Sequence, residues 1–212
     1  MPDGVTHPLW RPYDRPTDEE IARAAVGVHA PPPGGRVDVV APDPTWPATY
    51  DEVARLVREA LGDRVLALQH VGSTSVPGLW AKPVIDADLT VADSGDEPSY
   101  LPDLEAAGFV LRVREPDWEQ HRCLRLESPC TNLHVFSPGA VEPRRHRAFR
   151  DWLTADDADR ERYAALKRDL STRPFESVMA YNNEKGVLVY EIYERLFAAD
   201  PDHAHTPQPI GA

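Results

Sequence analysis

Two carboxylates, Asp86 and Asp88, lie in a short segment of this sequence that is otherwise apolar. Side chains two residues apart on a strand point to the same face, so a strand here would aim both carboxylates at one spot. Aspartate is depleted in strands, and burying two of them is costly unless a cation or hydrogen-bond donors satisfy them. Carboxylate oxygens are the ligands that Mg²⁺ prefers. The pair therefore predicts a divalent metal site, and the solvent-facing side of an edge strand is the alternative interpretation.

A Gly-Ser turn that contains Gly72, Ser73 and Ser75 precedes this segment. Glycine permits a tight turn and a close approach of the backbone to a ligand, and the two hydroxyls add donors for phosphate oxygens. Lys82 follows the turn and is within reach of a bound phosphate. Phosphate binding, a metal and correct positioning are what phosphoryl and nucleotidyl transfer require. An ordinary turn and a solvated loop lysine are the competing interpretations.

Ser73 as the nucleophile of a hydrolase is a rival hypothesis. It requires a nearby histidine and acid, and the sequence Gly-Ser-Thr-Ser lacks the G-x-S-x-G elbow. Two histidines, His70 and His134, end predicted strands, where a lone histidine is more often structural than catalytic. The pattern therefore disfavours the hydrolase.

The composition limits the classes of partner. The chain has 212 residues and a net charge of −12, which argues against general nucleic-acid binding because phosphate neutralisation dominates that affinity. One Arg-rich stretch, residues 144–150, is interpreted as a solvated helix face, and a group that faces the acceptor or the nucleotide is the alternative. No apolar run is long enough to span a membrane, and residues 1–16 do not have the pattern of a signal peptide, so we expect a cytoplasmic bacterial protein without a membrane partner. Cys123 and Cys130 are expected to be reduced.

The periodicity of apolar residues predicts a mixed sheet with helices, followed by a helical part, which is an α+β class. Thr17 and Glu20 form a capping-box pattern, and Gly62 is a natural end for a helix that starts at Trp46. Strands are predicted over residues 36–42, 65–71, 83–91, 109–115, 121–127 and 132–138, and helices over 19–27, 46–61, 101–108, 144–153, 156–170 and 176–198. The predicted organisation is a partly flexible N-terminal extension with one short helix (1–36), a core (37–142), a helical part (143–199) and a flexible tail (200–212).

Several blocks of the sequence closely resemble the GrpB family, which belongs to the nucleotidyltransferase superfamily fold. The resemblance runs from about residue 37 to residue 198. The blocks are HVGSTSVPG at 70–78, AKP at 81–83, IDAD at 85–88, PTW at 44–46, NLHV at 132–135, FRDWL at 149–153, Tyr163 with Leu166-Lys167, and Tyr181 with Lys185.

The resemblance implies a nucleotidyltransferase-like mixed β-sheet with flanking helices and a helical C-terminal part. In that superfamily a Gly-Ser turn holds nucleotide phosphates, two acids in D-x-D spacing hold divalent metal, and a third acid lies on a nearby strand. Gly72 and Ser73 match the turn, and Asp86 and Asp88 match the metal pair. The third acid is missing, and His134 is placed at its position, where an imidazole suits transition metals better than Mg²⁺.

The sequence thus predicts a metal-dependent nucleotidyltransferase-like enzyme that uses Mg²⁺ or Mn²⁺ and a nucleoside triphosphate, with ATP the first choice. It would transfer a nucleotidyl group to a small molecule or adenylylate a carboxylate. The alternatives are a catalytically weak nucleotide-binding or regulatory domain, which the missing third carboxylate favours, and the Ser hydrolase. The predicted catalytic residues are Asp86, Asp88 and His134, and the predicted phosphate-binding residues are Gly72, Ser73, Ser75, Lys82 and Lys185.

The resemblance leaves the acceptor, the base preference and the oligomeric state open. Similar domains are fused to dephospho-CoA kinases in some bacteria, which hints at nucleotide or CoA-related chemistry.

Overall fold

The structure is a computed structural model that describes residues 4–27 and 35–210. A single five-stranded sheet has the strand order β1-β2-β5-β4-β3, and helices flank it, so the predicted α+β class is confirmed. The strands are β1 (Ala67–Val71), β2 (Ile85–Thr90), β3 (Val110–Glu115), β4 (His121–Glu127) and β5 (Cys130–Phe136). The helices are α1 (Asp18–Ala24), α2 (Trp46–Leu61), α3 (Leu101–Ala106), α4 (Glu142–Ala155), α5 (Asp157–Ser171) and α6 (Val178–Ala199).

The register of the three strands β1, β2 and β5 brings the predicted site residues together. β2 runs parallel to β5 and antiparallel to β1, so β2 lies between the other two. Asp86 is opposite Asn132 on β5, and Asp88 is opposite His134. On the other side, His70 of β1 is opposite Ala87. The prediction that the strands carrying His70, Asp86 and His134 are neighbours is confirmed.

The two faces of β2 have different partners because successive side chains on a strand alternate between faces. Ile85, Ala87 and Leu89 are fully buried and join the main apolar core with α2 and α3. The side chains of Asp86 and Asp88 point to the other face, over which α4, α5 and α6 lie. The site therefore lies between the sheet and the three C-terminal helices.

Local signals set several helix ends. Thr17 and Glu20 form the predicted capping box at the start of α1. Gly62, with φ 56°, follows the last residue of α2, as predicted. Asp156 caps α5 by accepting a hydrogen bond from the backbone N–H of Asp159 at 2.7 Å. Across the described ranges, no helix combines the length and the apolar character that crossing a membrane requires.

The strand predicted over residues 36–42 is wrong. The structure has only a single-residue bridge there, in which Val40 and Ala81 exchange backbone hydrogen bonds of 2.9 and 3.2 Å. The segment has the alternating pattern of a strand, but its partner Ala81 lies in a loop. Pro42 also lacks the N–H that a further ladder bond would need.

Both chain ends, which the sequence predicts to be loose, lie against α6 in the described residues. Leu9 is buried in an apolar cluster with Phe197. The imidazole of His205 is buried and lies 2.6 Å from the Glu194 carboxylate. The backbone N–H of Thr206 donates to the carbonyl of Val5 at 2.8 Å, so the two ends also contact each other.

Candidate functional site

A cavity of about 300 Å³ opens between the β2–β5 part of the sheet and the helices α4, α5 and α6. Most of the predicted site residues line it: Gly72, Ser73, Lys82, Asp86, His134 and Lys185. Further lining residues that the sequence analysis did not assign to the site are Asn132, His146, Tyr163, Lys167, Tyr181 and Asn182. The cavity thus joins residues from distant parts of the chain.

The turn after β1 lies directly against β2, and Gly72 makes this contact possible. Its φ is 68°, a left-handed conformation that favours glycine. A Cβ atom at this position would lie 2.8 Å from the Cβ of Asp86, which is closer than real side chains approach. The backbone of the turn can therefore reach a ligand that sits beside Asp86.

The two serines of the turn have different surroundings. The Oγ of Ser73 faces the cavity and accepts a hydrogen bond of 3.1 Å from Nζ of Lys167 on α5. The Oγ of Ser75 donates to the carbonyl of Gly72 at 2.6 Å, and this residue does not line the cavity. Ser73 is available to a ligand, whereas the hydroxyl of Ser75 closes the turn.

The sequence contains three lysines, Lys82, Lys167 and Lys185, and all of them line this one cavity. Every other permanently cationic side chain is an arginine. Among the described residues, no carboxylate lies within ion-pair distance of the three ammonium groups. Lys167 is only 2% exposed. In the part of the chain that the structure describes, one buried and two half-buried cations share the cavity with a single lining carboxylate, Asp86. This excess of positive charge indicates a site for an anion, because burial of uncompensated charge is unfavourable.

Burial and mutual repulsion shift the lysine pKa values downwards. Burial lowers the pKa of Lys82 to about 8, and the charge of Lys185 adds to the effect. Burial likewise lowers the pKa of Lys185 to about 8, although Asp86 opposes the shift. For Lys167, burial and then the two other lysines hold the pKa well below its usual range. An anion bound between them would reverse these shifts.

Two of the lysines, Lys167 and Lys185, each lie over the ring of a tyrosine on their own helix. Tyr163 and Lys167 on α5 are four residues apart, as are Tyr181 and Lys185 on α6, so each pair lies on one helix face. The Nζ of Lys167 lies 4.3 Å from the ring centroid of Tyr163, and the Nζ of Lys185 lies 4.7 Å from that of Tyr181. The aromatic faces stabilise the cations and fix their direction. This repeated Tyr-x-x-x-Lys spacing was the signal in the sequence that identifies Lys167 as a site residue.

The two aspartates of β2 have separate partners. Oδ1 of Asp86 accepts a 2.8 Å hydrogen bond from Nδ2 of Asn132. Asp88 is 1% exposed and does not line the cavity, and its oxygens lie 2.9 and 3.1 Å from Nδ1 of His146 on α4. Burial opposes a charge on His146, but the carboxylates of Asp88, Glu142 and Asp86 together outweigh burial and raise the His146 pKa. Asp88 and His146 therefore form a hydrogen-bonded carboxylate–histidine pair at the edge of the cavity.

The Arg-rich stretch at 144–150 is not simply a solvated face. His146 lines the cavity, and Arg145 is 2% exposed. Nη1 of Arg150 donates to the carbonyl of His70 at 2.9 Å. The solvated-face interpretation is wrong for these residues because α4 packs against both the sheet and α6.

His134 connects the cavity to two further residues of the sheet. Its Nδ1 lies 3.0 Å from Nε2 of His121 on β4. Nδ1 of His121 in turn lies 2.6 Å from a carboxylate oxygen of Glu115 on β3. Burial, and then the neighbouring His121, lower the pKa of His134 to about 4, so its imidazole is neutral.

The donor set does not fit the predicted metal site. Asp86, Asp88 and His134 do not each bring a ligand atom to within 4.8 Å of the others. Both oxygens of Asp88 already lie within hydrogen-bond distance of His146, and Asn132 occupies one oxygen of Asp86. The positive charge at this site comes from the lysine side chains.

The one group of possible metal ligands within the described ranges lies at the chain ends and comprises His7, Asp200 and His203. Nδ1 of His7 accepts a 3.0 Å hydrogen bond from the backbone N–H of Leu9. Nε2 of His7 must then carry the proton that it donates to Asp200 at 2.8 Å. His7 has no free lone pair for a metal, and the group instead fastens the chain ends.

The fold and the turn define the class of protein. A mixed sheet with a Gly-Ser turn ahead of a D-x-D strand and helices over that face is consistent with a nucleotidyltransferase-like fold. The family described as GrpB protein matches residues 36–195, and the chain belongs to this family.

Relatives support the same assignment. A UPF0157 protein of Halalkalibacterium halodurans is 46% identical over 182 residues, which cover 86% of this chain and 93% of that protein. The crystal structure of conserved protein GrpB from Enterococcus faecalis matches with a TM-score of 0.66 and 26% identity, over 76% of this chain and 97% of that one. A dephospho-CoA kinase of Mycolicibacterium paratuberculosis is 31% identical over 188 residues, which cover 76% of this chain and 46% of that protein.

Proposed function

We propose that the protein binds a nucleoside triphosphate in the cavity and transfers its nucleotidyl group to a small-molecule acceptor. The observation that carries this proposal is the convergence of all three lysines of the chain on one cavity, in which Asp86 is the single lining carboxylate among the described residues. A triphosphate supplies the several negative charges that such a group needs. The relatives named dephospho-CoA kinase and the nucleotidyltransferase-like fold favour a nucleotide over other polyanions.

The roles of the residues follow from their positions. Gly72 lets the backbone approach a phosphate, and the Ser73 hydroxyl donates to it. Lys82, Lys167 and Lys185 neutralise the phosphate oxygens and stabilise the charge that develops on the leaving pyrophosphate. This is electrostatic catalysis by groups that are already in place before the reaction.

In the proposed site the lysines supply the positive charge that the sequence prediction assigned to a divalent metal. With the lysines present, we expect nucleotide binding to persist when Mg²⁺ and Mn²⁺ are removed. Asp86 then acts beside the lysines as a negative charge that opposes the fall of the Lys185 pKa. Asp88 contributes indirectly, because its carboxylate hydrogen-bonds to His146, which lines the cavity.

Calorimetric titration of the full chain with ATP, in the presence of a metal chelator, tests the binding step. Lys167→Met should weaken ATP binding about tenfold to a hundredfold, because a charge-assisted hydrogen bond contributes about 1.5 to 3 kcal/mol. The matched control is Arg168→Met, which removes a cation from the exposed side of the same helix and should leave the affinity unchanged. An absence of ATP binding to the wild-type protein, with or without Mg²⁺, would contradict the proposal.

A nucleotide-binding domain without turnover is the second candidate. The engagement of Asp88 by His146 favours it, because the D-x-D pair is then not free to hold a metal. Pyrophosphate release from ATP with a pool of small-molecule acceptors separates the two. Release that falls in Lys167→Met supports the enzyme, and tight binding with no release across the pool supports the binding domain.

A further inference from the structure

We propose that Glu115 and His121 set the tautomer of His134 so that its Nε2 acts as the general base for an acceptor that carries a hydroxyl group. The inference rests on the proposed function and adds two positioning residues and the chemical class of the acceptor. The evidence is a row of three hydrogen-bonded side chains that crosses adjacent strands from β3 to the cavity. Glu115, His121 and His134 lie on the adjacent strands β3, β4 and β5.

The hydrogen bonds of the row fix where the protons are. The carboxylate of Glu115 can only accept, so Nδ1 of His121, at 2.6 Å, carries a proton. When His121 carries only this one proton, its other nitrogen, Nε2, has a lone pair and accepts the proton of His134 Nδ1 at 3.0 Å. Nε2 of the neutral His134 is left with a lone pair, and His134 lines the cavity.

The middle of the row, His121, is buried, and its outer end, Glu115, is partly exposed to solvent. His121 is 5% exposed, and the ring of Phe136 stacks on it at a centroid distance of 4.9 Å. Trp118 contacts the same imidazole edge-on at 5.3 Å. The side chain of Glu115 is 34% exposed, so the end away from the cavity reaches solvent.

The proton step balances within these three residues. The acceptor O–H bond breaks, its proton goes to Nε2 of His134, and the oxygen forms a bond to the α-phosphorus while pyrophosphate leaves with the electron pair. The proton on Nδ1 of His134 passes to Nε2 of His121, which becomes an imidazolium paired with Glu115. The carboxylate of Glu115, 2.6 Å from Nδ1 of His121, stabilises this imidazolium and so favours movement of the proton away from the cavity.

This geometry selects an alcohol as the acceptor. A carboxylate acceptor has no proton to lose at neutral pH, so Nε2 of His134 would have no proton to accept from it. The site therefore favours nucleotidyl transfer to a hydroxyl over adenylylation of a carboxylate.

Nitrogen NMR of the histidine side chains in the full chain, without nucleotide, tests the tautomer directly. In the wild type, Nε2 of His134 should show a pyridine-type shift and Nδ1 a pyrrole-type shift, assigned by their loss in His134→Asn. Glu115→Ala should mix the two tautomers, and Glu115→Gln, which keeps an acceptor, should restore the wild-type shifts. The matched control is Glu127→Ala, at the exposed end of β4, which should change nothing.

A pyrrole-type Nε2 in the wild type, or the same shifts in Glu115→Ala, would overturn the inference. A purely structural role of Glu115 would leave the tautomer unchanged, so this readout separates positioning from folding. ATP calorimetry on the same samples reports on the proposed function separately, and Glu115→Ala should bind ATP as the wild type does.

Pyrophosphate release with a pool of alcohols and a pool of carboxylates tests the acceptor class. Release should be confined to the alcohols and should fall about tenfold or more in Glu115→Ala, since general-base catalysis contributes at least that much. Equal release with the carboxylates, or none with the alcohols, would contradict the acceptor class.

Discussion

A lysine that is buried without an anionic partner titrates at a lower pH than a lysine in water, and this links ligand binding to pH. The pKa values of Lys82 and Lys185 are held near 8 in the folded protein, first by burial. Above pH 8 both groups lose their charge, and they no longer attract a triphosphate. We predict that the affinity for ATP falls as pH rises through 8, which calorimetry on either side of that value measures.

The stability of the free protein should change in the opposite direction. Between about pH 8 and the ordinary lysine value of 10.5, the unfolded chain holds more protons than the folded one. The free energy of unfolding therefore rises with pH across this interval. Urea unfolding at several pH values measures it, and the rise should shrink in Lys185→Met. A free protein that loses stability over the same interval, with the tyrosines corrected for, would disagree with the assigned lysine pKa values.

The pair of Asp88 and His146 gives a second prediction at the residue scale. Burial disfavours the charged imidazole, but Asp88 raises the pKa of His146 above its unfolded value. The pair thus stabilises the fold below the unfolded histidine pKa, and this contribution is lost as pH rises through the folded pKa. Asp88→Asn should lower the His146 pKa, measured by NMR, and should destabilise the protein more at acid pH than at alkaline pH. Asp86→Asn is the comparison and should lower the His146 pKa by less, because Asp86 acts on the imidazole through its charge alone and hydrogen-bonds to Asn132 instead.

At the scale of elements, the patterns that were predictable are local ones. The D-x-D strand, the Gly-Ser turn and the helix that begins at Trp46 each depend on residues that are neighbours in the sequence. The strand over 36–42 failed because a strand needs a partner, and no period-two pattern reveals whether a partner exists. Lys82 and Lys167 meet because α5 folds back over the sheet, a long-range contact that the sequence pattern does not encode. His146 was missed for the same reason.

The prediction at the scale of elements concerns Arg145, which is buried on α4 and joins this helix to its neighbours. Its Nη1 donates to the carbonyl of Leu9 at 2.7 Å, its Nε lies 3.0 Å from Glu142, and its guanidinium lies 4.1 Å from the ring centroid of Tyr193. Arg145→Met should cost about 3 kcal/mol of unfolding free energy. The change removes the arginine partner of the mostly buried Glu142 carboxylate, which keeps only the more distant His146 imidazole at 3.7 Å, and it removes the donor to the Leu9 carbonyl. Urea unfolding measures this loss. Arg144→Met, on the exposed side of α4, should change the unfolding free energy by less than about 0.5 kcal/mol.

At the scale of the whole molecule, hydrogen bonds hold the two chain ends against α6 and against each other. The imidazole of His205 accepts the backbone N–H of His7 at 3.2 Å through Nδ1 and donates to Glu194 at 2.6 Å through Nε2. Glu194 also accepts from the indole of Trp10 at 2.7 Å, so one carboxylate joins both ends to the helix. None of these residues lines the cavity.

This arrangement predicts that stability and ligand binding can be separated. His205→Ala removes a buried ring with two hydrogen bonds and should lower the free energy of unfolding by about 2 kcal/mol. The affinity for ATP should stay the same, because the change lies outside the cavity. His203→Ala, whose side chain is 46% exposed, is the matched control and should have a smaller effect on unfolding. If His205→Ala instead weakens ATP binding at a temperature where the variant is folded, the chain ends help to shape the cavity through α6, and the separation proposed here does not hold.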